Sequence, residues 1–345
     1  MVKINKLKEI SVMNAFLCLC VVAVHLTVEP MDLWSYGTFR YLTVFVINRI
    51  LCFAVPAFLF LSGLKLHNKY GEKSIDVKRF YKNRIKKLIL PYVVCVLVYF
   101  VYLWWKGWVQ PKYLPGYILL GTMVAHCYYI VIAVQLYAVF PLLKKAFERF
   151  PKTVTVLSLI LTVVMVQFVH IPYVDRFAGT YIFYFAFGMF FSKYKLYEKL
   201  RSSGRLYLMW FVCFTVLAVV HIRFLYLQMV PGYVYFGAEL MKMAFVFCAI
   251  MFIYGTSQRI ADRFPLVVKG SEVINDTSYS IYLYHILLLY LLRNDLLKIL
   301  DLTVWGRLAV ATIVMYGSIF VYSWGVRYLK TRAKQNKQNN GSVAL

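Results

Sequence analysis

Residues Asn14 to Pro30 read NAFLCLCVVAVHLTVEP, an almost purely apolar run that ends at His25 and a short polar turn. An imidazole in a hydrocarbon setting is costly unless it has a partner or a function. The run therefore predicts a membrane-spanning helix that carries a histidine near one end. A structural role for this histidine, such as a hydrogen bond between helices, is the alternative to a catalytic one.

The composition extends this interpretation to the whole chain of 345 residues. Hydrophobic residues make up 62% of the sequence and charged residues only 15%, with a mean hydropathy of +0.67. A soluble domain is about 45–50% apolar, so the excess has to face lipid. We therefore predict an all-α, polytopic integral membrane protein, because an open strand edge cannot satisfy its hydrogen bonds in lipid.

Windows of about 20 residues predict about ten transmembrane helices. They lie near residues 11–28, 43–64, 88–105, 117–143, 153–171, 178–193, 206–226, 235–256, 277–293 and 303–326. In the fourth region, Pro115 and Gly116 predict a break, with a short segment before the helix proper.

The basic residues give the predicted orientation. The formal net charge is +25, and 29 of the 39 Lys and Arg residues fall in alternate loops and tails on one side. This side is expected to be cytoplasmic, with both termini inside, and to attract anionic membrane lipid rather than nucleic acid. We predict a single transmembrane domain over 1–329 and a short, basic, disordered tail over 330–345. The pattern fits a multi-pass protein of a bacterial plasma membrane.

The seven cysteines lie in or beside apolar runs, and none has the spacing of a metal ligand. Small buried thiols are therefore expected, with no metal site, disulfide framework or bound cofactor. The sequence also shows no internal repeat and no matching pair of broken spans of the kind that marks many transporters.

Residues 55–92 form a second informative stretch, VPAFLFLSGLKLHNKYGEKSIDVKRFYKNRIKKLILPY. Gly63, which follows Ser62, is suited to a C-terminal helix cap, so this pair is expected to close the span. Arg79 and the lysines three and seven residues after it fall on one face of a helix. Such a face can bind the phosphates of a nucleotide-type acyl donor, and ordinary positive charge at the head-group layer is the alternative.

Later polar groups in apolar surroundings complete the set of candidates. His126 opens the fourth helix in the sequence HCYY, and the segment NDTSYSIYLYH ends at His285. On a helix, Ser278, Tyr282 and His285 share one face. Such a group at membrane depth indicates a polar cavity, and a hydrogen-bonded cluster without chemistry is the alternative.

The order of these features resembles the membrane-bound acyltransferase-3 family from about Ile10 to Tyr328. The matching features are the first span that ends in His, VPAFLFLSG, the basic FYKNRIKKLILPY, the His-aromatic helix start and SYSIYLYH. The resemblance implies transfer of an acetyl, succinyl or related acyl group to a hydroxyl of a cell-surface glycan or lipid-linked sugar. The implied donor is cytoplasmic acyl-CoA, with acetyl-CoA as the first candidate.

The resemblance also implies roles for individual residues. His25 matches the family's first-span His and would take the proton from the acceptor hydroxyl, while His126 and His285 match its later His positions. The family usually has Arg where this chain has Asn14, and Asn supplies neither charge nor a bidentate fork. The expected donor-binding and substrate-binding residues are Asn14, Ser62, Gly63, Arg79, Arg84 and Tyr282.

Two other functions remain open from the sequence. A glycan exporter or flippase would use the same aromatic, polar-lined cavity without a proton-transfer residue. An inactive relative that serves as a scaffold in a polysaccharide synthase complex is the other, and Asn14 is its main support. The compact chain also resembles the members linked to biofilm poly-N-acetylglucosamine.

Overall fold

The computed structural model describes residues 8–71, 73–228 and 237–342, and within these ranges it contains helices and no strand. Short 3₁₀ turns connect several helices, and two π-turns, Ile85–Ile89 and Leu292–Leu296, interrupt others. The predicted all-α architecture is confirmed. The α-helices are α1 (Lys8–Leu26), α2 (Val28–Leu33), α3 (Phe39–Ile50), α4 (Ala54–Tyr70), α5 (Val77–Arg84), α6 (Leu90–Trp105), α7 (Leu114–Leu119), α8 (Tyr128–Arg149), α9 (Pro151–Phe168), α10 (Ile182–Lys193), α11 (Leu196–Ser202), α12 (Gly204–Leu227), α13 (Ala238–Arg263), α14 (Pro265–Leu291) and α15 (Val304–Ser342).

Eight helical stretches in the described part of the chain are long and apolar enough to cross a membrane. Two of the ten predicted spans are not among them: 178–193 forms the shorter apolar helix α10, and 277–293 lies in the second half of α14 and the π-turn after it. The chain is a polytopic membrane protein, while the count of ten spans and the cytoplasmic termini stay predictions. The eight stretches are Lys8–Leu33, Phe39–Tyr70, Val77–Trp105, Ala125–Arg149, Pro151–Phe168, Gly204–Leu227, Ala238–Arg263 and Val304–Ala333.

Two local predictions concern the break in the fourth region and the C-terminal tail. The predicted break in the fourth region is present, because α7 ends at Leu119 and α8 begins only at Tyr128. The helix α15 continues to Ser342, and the disorder expected from Lys330 stays a prediction. Lys, Arg and Gln are good helix formers, so a helix that begins in an apolar span can extend into a basic tail. Residues 1–7, 235–236 of the eighth predicted span and 343–345 of the tail lie outside the described residues.

The described helices form two compact units. The central unit is Cys52–Thr256, and the terminal unit combines the N-terminal stretch through Leu51 with the C-terminal stretch from Ser257. The single domain over 1–329 stays a prediction.

In the terminal unit, α1 packs along α14, and the two helices run parallel. The direction follows from the residues that meet: Asn14 contacts Ser278 and His25 contacts His285, so both numbers rise together. The apolar residues of α1 fill this interface, with Met13 and Leu17 fully buried. The packing therefore places the polar residues of the first apolar run against those of the segment that ends at His285.

In the central unit, α4 and α10 pack backbone to backbone through two glycines. A Cβ added at Gly63 would overlap Phe185 O, and one added at Gly188 would overlap Phe60 O. Small residues at membrane helix interfaces allow such close approach. The expectation that Gly63 closes the span is wrong, because α4 continues to Tyr70 and Gly63 serves this helix contact.

Candidate active site

The central feature of the terminal unit is a pair of histidine rings from α1 and α14. The ring centroids of His25 and His285 lie 5.2 Å apart, with the planes inclined by 46°. His285 is buried, whereas His25 is partly exposed. The structure thus brings the rings of two of the three predicted catalytic histidines into contact.

The surroundings of His285 assign its neutral tautomer. Its Nδ1 lies 2.8 Å from Tyr282 O and 3.1 Å from Ile281 O. A carbonyl oxygen only accepts hydrogen bonds, so Nδ1 carries the proton and Nε2 is the basic nitrogen. Tyr282 is buried beside this ring, with a centroid separation of 6.0 Å, and its carbonyl also helps to fix the ring's orientation.

The backbone around His25 is held from two directions. Val24 O accepts a hydrogen bond from Asn48 Nδ2 of α3 at 2.9 Å, and Leu26 O accepts one from Arg293 Nη2 at 2.9 Å. These carbonyls belong to the last turn of α1, where the helix itself offers no partner for the final carbonyl groups. Side chains from two other segments therefore fix the helix end that carries His25.

An ionic cluster lies one turn beyond His25. Glu29 Oε2 is 2.6 Å from Arg293 Nε, and Glu29 Oε1 is 3.5 Å from Arg307 Nη1. The Arg293 side chain is 15% exposed and that of Glu29 is 25% exposed, so the pair is only partly screened by solvent. Sequence reasoning missed this cluster, although an acidic side chain at the end of the first apolar run is a signal that could have found it.

Asn14 lies at the opposite end of α1. Its side chain is 6% exposed, and Nδ2 donates a hydrogen bond to Ser278 Oγ at 2.9 Å. Ser278 Oγ in turn donates to Asn275 O, also at 2.9 Å. The position where the family usually has Arg is therefore part of a polar contact between helices α1 and α14.

The central unit holds a second cluster of predicted residues. Tyr137 OH donates a hydrogen bond to Ser62 Oγ at 3.3 Å, and the Arg84 guanidinium lies 4.5 Å from the centre of the Tyr137 ring. Arg84 also lies 5.0 Å from the ring centre of Phe80. Tyr137 thus connects two residues that the resemblance assigned to donor binding, and the sequence offered no signal for this tyrosine beyond its place in a span.

The remaining predicted residues of the central unit stand apart from this cluster. The Arg79 side chain is exposed on α5, and the π-turn that follows α5 shifts the helical register before Lys86. The predicted face of Arg79, Lys82 and Lys86 is therefore interrupted. His126 is buried on a 3₁₀ turn, with its ring centroid 6.0 Å from that of Tyr99.

The chemistry that this arrangement permits is proton transfer by imidazole. A neutral His285 with a fixed tautomer presents a basic nitrogen, and the ring beside it belongs to a helix end that is held rigidly. Among residues 8–71, 73–228 and 237–342, no group of three His, Cys, Asp or Glu side chains is placed to hold a metal ion. General acid–base catalysis is the reaction type that these groups support.

Comparison with known sequences gives the family. A model described as an acyltransferase domain, that of the acyltransferase-3 family, matches residues 7–324, nearly the whole chain. Searches among curated proteins and among solved structures gave no match. The resemblance inferred from the order of the motifs is confirmed. The chain belongs to the acyltransferase-3 family of membrane acyltransferases.

Proposed function

We propose that the protein is an integral membrane O-acyltransferase that moves an acyl group from cytoplasmic acyl-CoA to a hydroxyl of a cell-surface glycan or lipid-linked sugar. Membership of the acyltransferase-3 family supports the reaction class. The observation that carries the proposal is the His25–His285 pair, two imidazoles 5.2 Å apart within an interface of apolar helices. A bacterial plasma membrane is the proposed location.

The proposed reaction needs a base for the acceptor hydroxyl. His25, the more exposed ring of the pair, takes the hydroxyl proton while the oxygen attacks the thioester carbonyl. The carbon–sulfur bond then breaks, an ester forms, and the CoA thiolate leaves with the proton that His25 held. His285, with its Nδ1 proton held by Tyr282 O, leaves Nε2 as the basic nitrogen of the ring beside His25 and so stabilises the imidazolium that forms during transfer.

Donor binding is proposed for the central unit. The face of the Arg84 guanidinium lies against the Tyr137 ring, and a guanidinium binds phosphate through its edges in a bidentate manner. Ser62, hydrogen-bonded to the same tyrosine, adds a small hydroxyl to this group. The exposed bases of α5, including Arg79, supply a general attraction for the polyanionic donor.

The experiment compares the acyl content of the surface glycan in cells that produce the wild type, His25→Ala or His285→Ala. We expect the mass increment of one acyl group to disappear in both variants while protein level and membrane insertion are retained. His170→Ala is the matched control, because His170 is an exposed histidine in the loop after α9. Full acylation in the His25→Ala strain would refute the proposed mechanism.

The same measurement decides between the proposed enzyme and an exporter. An exporter delivers an unacylated glycan, so its loss changes the amount outside the cell and leaves the mass of each repeat unaltered. An inactive scaffold for a polysaccharide synthase complex has one observation in its favour, since the Asn14 amide is engaged with Ser278 and brings no charge. For a scaffold, the histidine variants leave both amount and mass unchanged.

A further inference from the structure

A groove of about 450 Å³ lies between α14 and α15 in the terminal unit. Its walls are mainly hydrocarbon, with Ile281 and Leu288 contributed by α14 and Met315 and Ile319 by α15. The volume falls in the range of about 300–1,000 Å³ that is typical of small-molecule sites.

His285 lines this groove and also contacts His25. The groove therefore shares a residue with the candidate active site. During acyl transfer, the carbonyl carbon has to lie beside the histidine pair, and the hydrocarbon chain bonded to that carbon has to occupy adjacent space. The lipid of a lipid-linked acceptor is separated from the reacting hydroxyl by at least a sugar, so the acyl chain is the hydrocarbon nearest to the histidines.

The lining also selects the chemistry of that chain. The described groove residues include no Lys or Arg; beside the apolar side chains are two serines, Ser280 and Ser318, and two tyrosines, Tyr284 and Tyr322. A carboxylate taken into such a groove would lose its hydration without gaining a cation. A dicarboxylic acyl group such as succinyl is thereby disfavoured, and an acetyl group would leave most of the volume unfilled.

We propose that the α14–α15 groove binds the acyl chain of the donor and that this chain is uncharged, apolar and longer than acetyl. The inference rests on the proposed acyltransferase function and adds the substrate class to it. Burial of one methylene group corresponds to about 0.8 kcal/mol, which is about a fourfold gain in kcat/KM.

The test uses membranes from producing cells, which contain the natural acceptor, and a series of acetyl-, butyryl-, hexanoyl-, octanoyl- and succinyl-CoA. Release of free CoA and the acyl content of the glycan are measured for each donor, with His25→Ala membranes as background. We expect kcat/KM to rise about fourfold per added methylene through the first members of the series, with succinyl-CoA no better than acetyl-CoA.

Two variants of α15 locate the effect. Ser318→Phe places a ring in the groove and should abolish the rise of kcat/KM with chain length. Val321→Phe adds the same ring at a position that is 76% exposed and does not line the groove, and it should keep the wild-type profile. If Ser318→Phe fails to fold, the wild-type donor series still decides the question.

The outcomes separate the two proposals. Transfer from acetyl- or succinyl-CoA with a flat or falling dependence on chain length overturns the groove assignment and leaves the acyltransferase function standing. A folded Ser318→Phe protein that keeps the chain-length preference also overturns the assignment. Any hydrocarbon in the groove is then an adventitious lipid only. Absence of transfer from every donor overturns the proposed function and the groove assignment with it.

Discussion

Replacing Gly63 with Ala tests the contact between α4 and α10. The added Cβ would overlap Phe185 O and lie 2.9 Å from Phe185 C, so the obstacle is backbone and cannot rotate away. The facing glycine, Gly188, meets Phe60 in the same manner, so the contact is tight on both sides. Relief requires the two helices to move apart, which weakens the dispersion contacts along the whole interface.

The expected magnitude follows from two opposing effects. Overpacking of this kind costs about 1–3 kcal/mol, and a clash with backbone atoms is expected at the upper end of this range. Against this cost, alanine stabilises a helix interior by about 1 kcal/mol relative to glycine. The free energy of unfolding should therefore fall by about 2 kcal/mol, which corresponds to a decrease in Tm of roughly 4–8 °C for a unit of this size.

Thermal unfolding of the purified protein in detergent measures this change. Gly317→Ala is the matched control, because Gly317 lies inside α15 and a Cβ there would meet nothing within 4 Å. The control should keep or raise Tm, by the equivalent of about 0.5–1 kcal/mol. Equal Tm values for the two variants would refute the close-packing argument for Gly63.

Three further substitutions probe hydrogen bonds and charges. Asn48→Ala removes the side chain that donates a hydrogen bond to Val24 O, the carbonyl before His25. We expect kcat to fall about tenfold with KM little changed. A fall in kcat with an equally large rise in KM would contradict a positioning role. Gln135→Ala removes two hydrogen bonds to the backbone of the loop between α9 and α10; unfolding free energy should fall by about 2 kcal/mol, and limited proteolysis of that loop should accelerate. Glu29→Gln leaves two arginines without their carboxylate and should cost about 1–3 kcal/mol, since Glu29 is 25% exposed. A Glu29→Gln, Arg307→Gln double variant that is no more stable than Glu29→Gln alone would contradict this account.

Several properties of the protein follow from local sequence alone. Hydropathy sums over about 20 residues predicted the all-α membrane architecture, because a spanning segment must satisfy its own backbone. The order of motifs, from the His25 run to SYSIYLYH, predicted the acyltransferase-3 family that the match over residues 7–324 confirms. His25 and His285 were chosen because an ionisable side chain in an apolar run requires an explanation, which is also a local argument.

Tertiary structure decided which of these residues meet. The contacts of Asn14 with Ser278 and of Glu29 with Arg293 each join residues 264 positions apart, and no local pattern encodes them. Their partners are set by the register in which α1 lies parallel to α14. Gly63 shows the same limit. The Ser62-Gly63 sequence is as compatible with a helix cap as with a close contact between helices, and only the position of the Phe185 backbone against Gly63 decides between the two. Hydropathy fixes which segments enter the membrane, whereas the packing of their side chains fixes the distances on which chemistry depends.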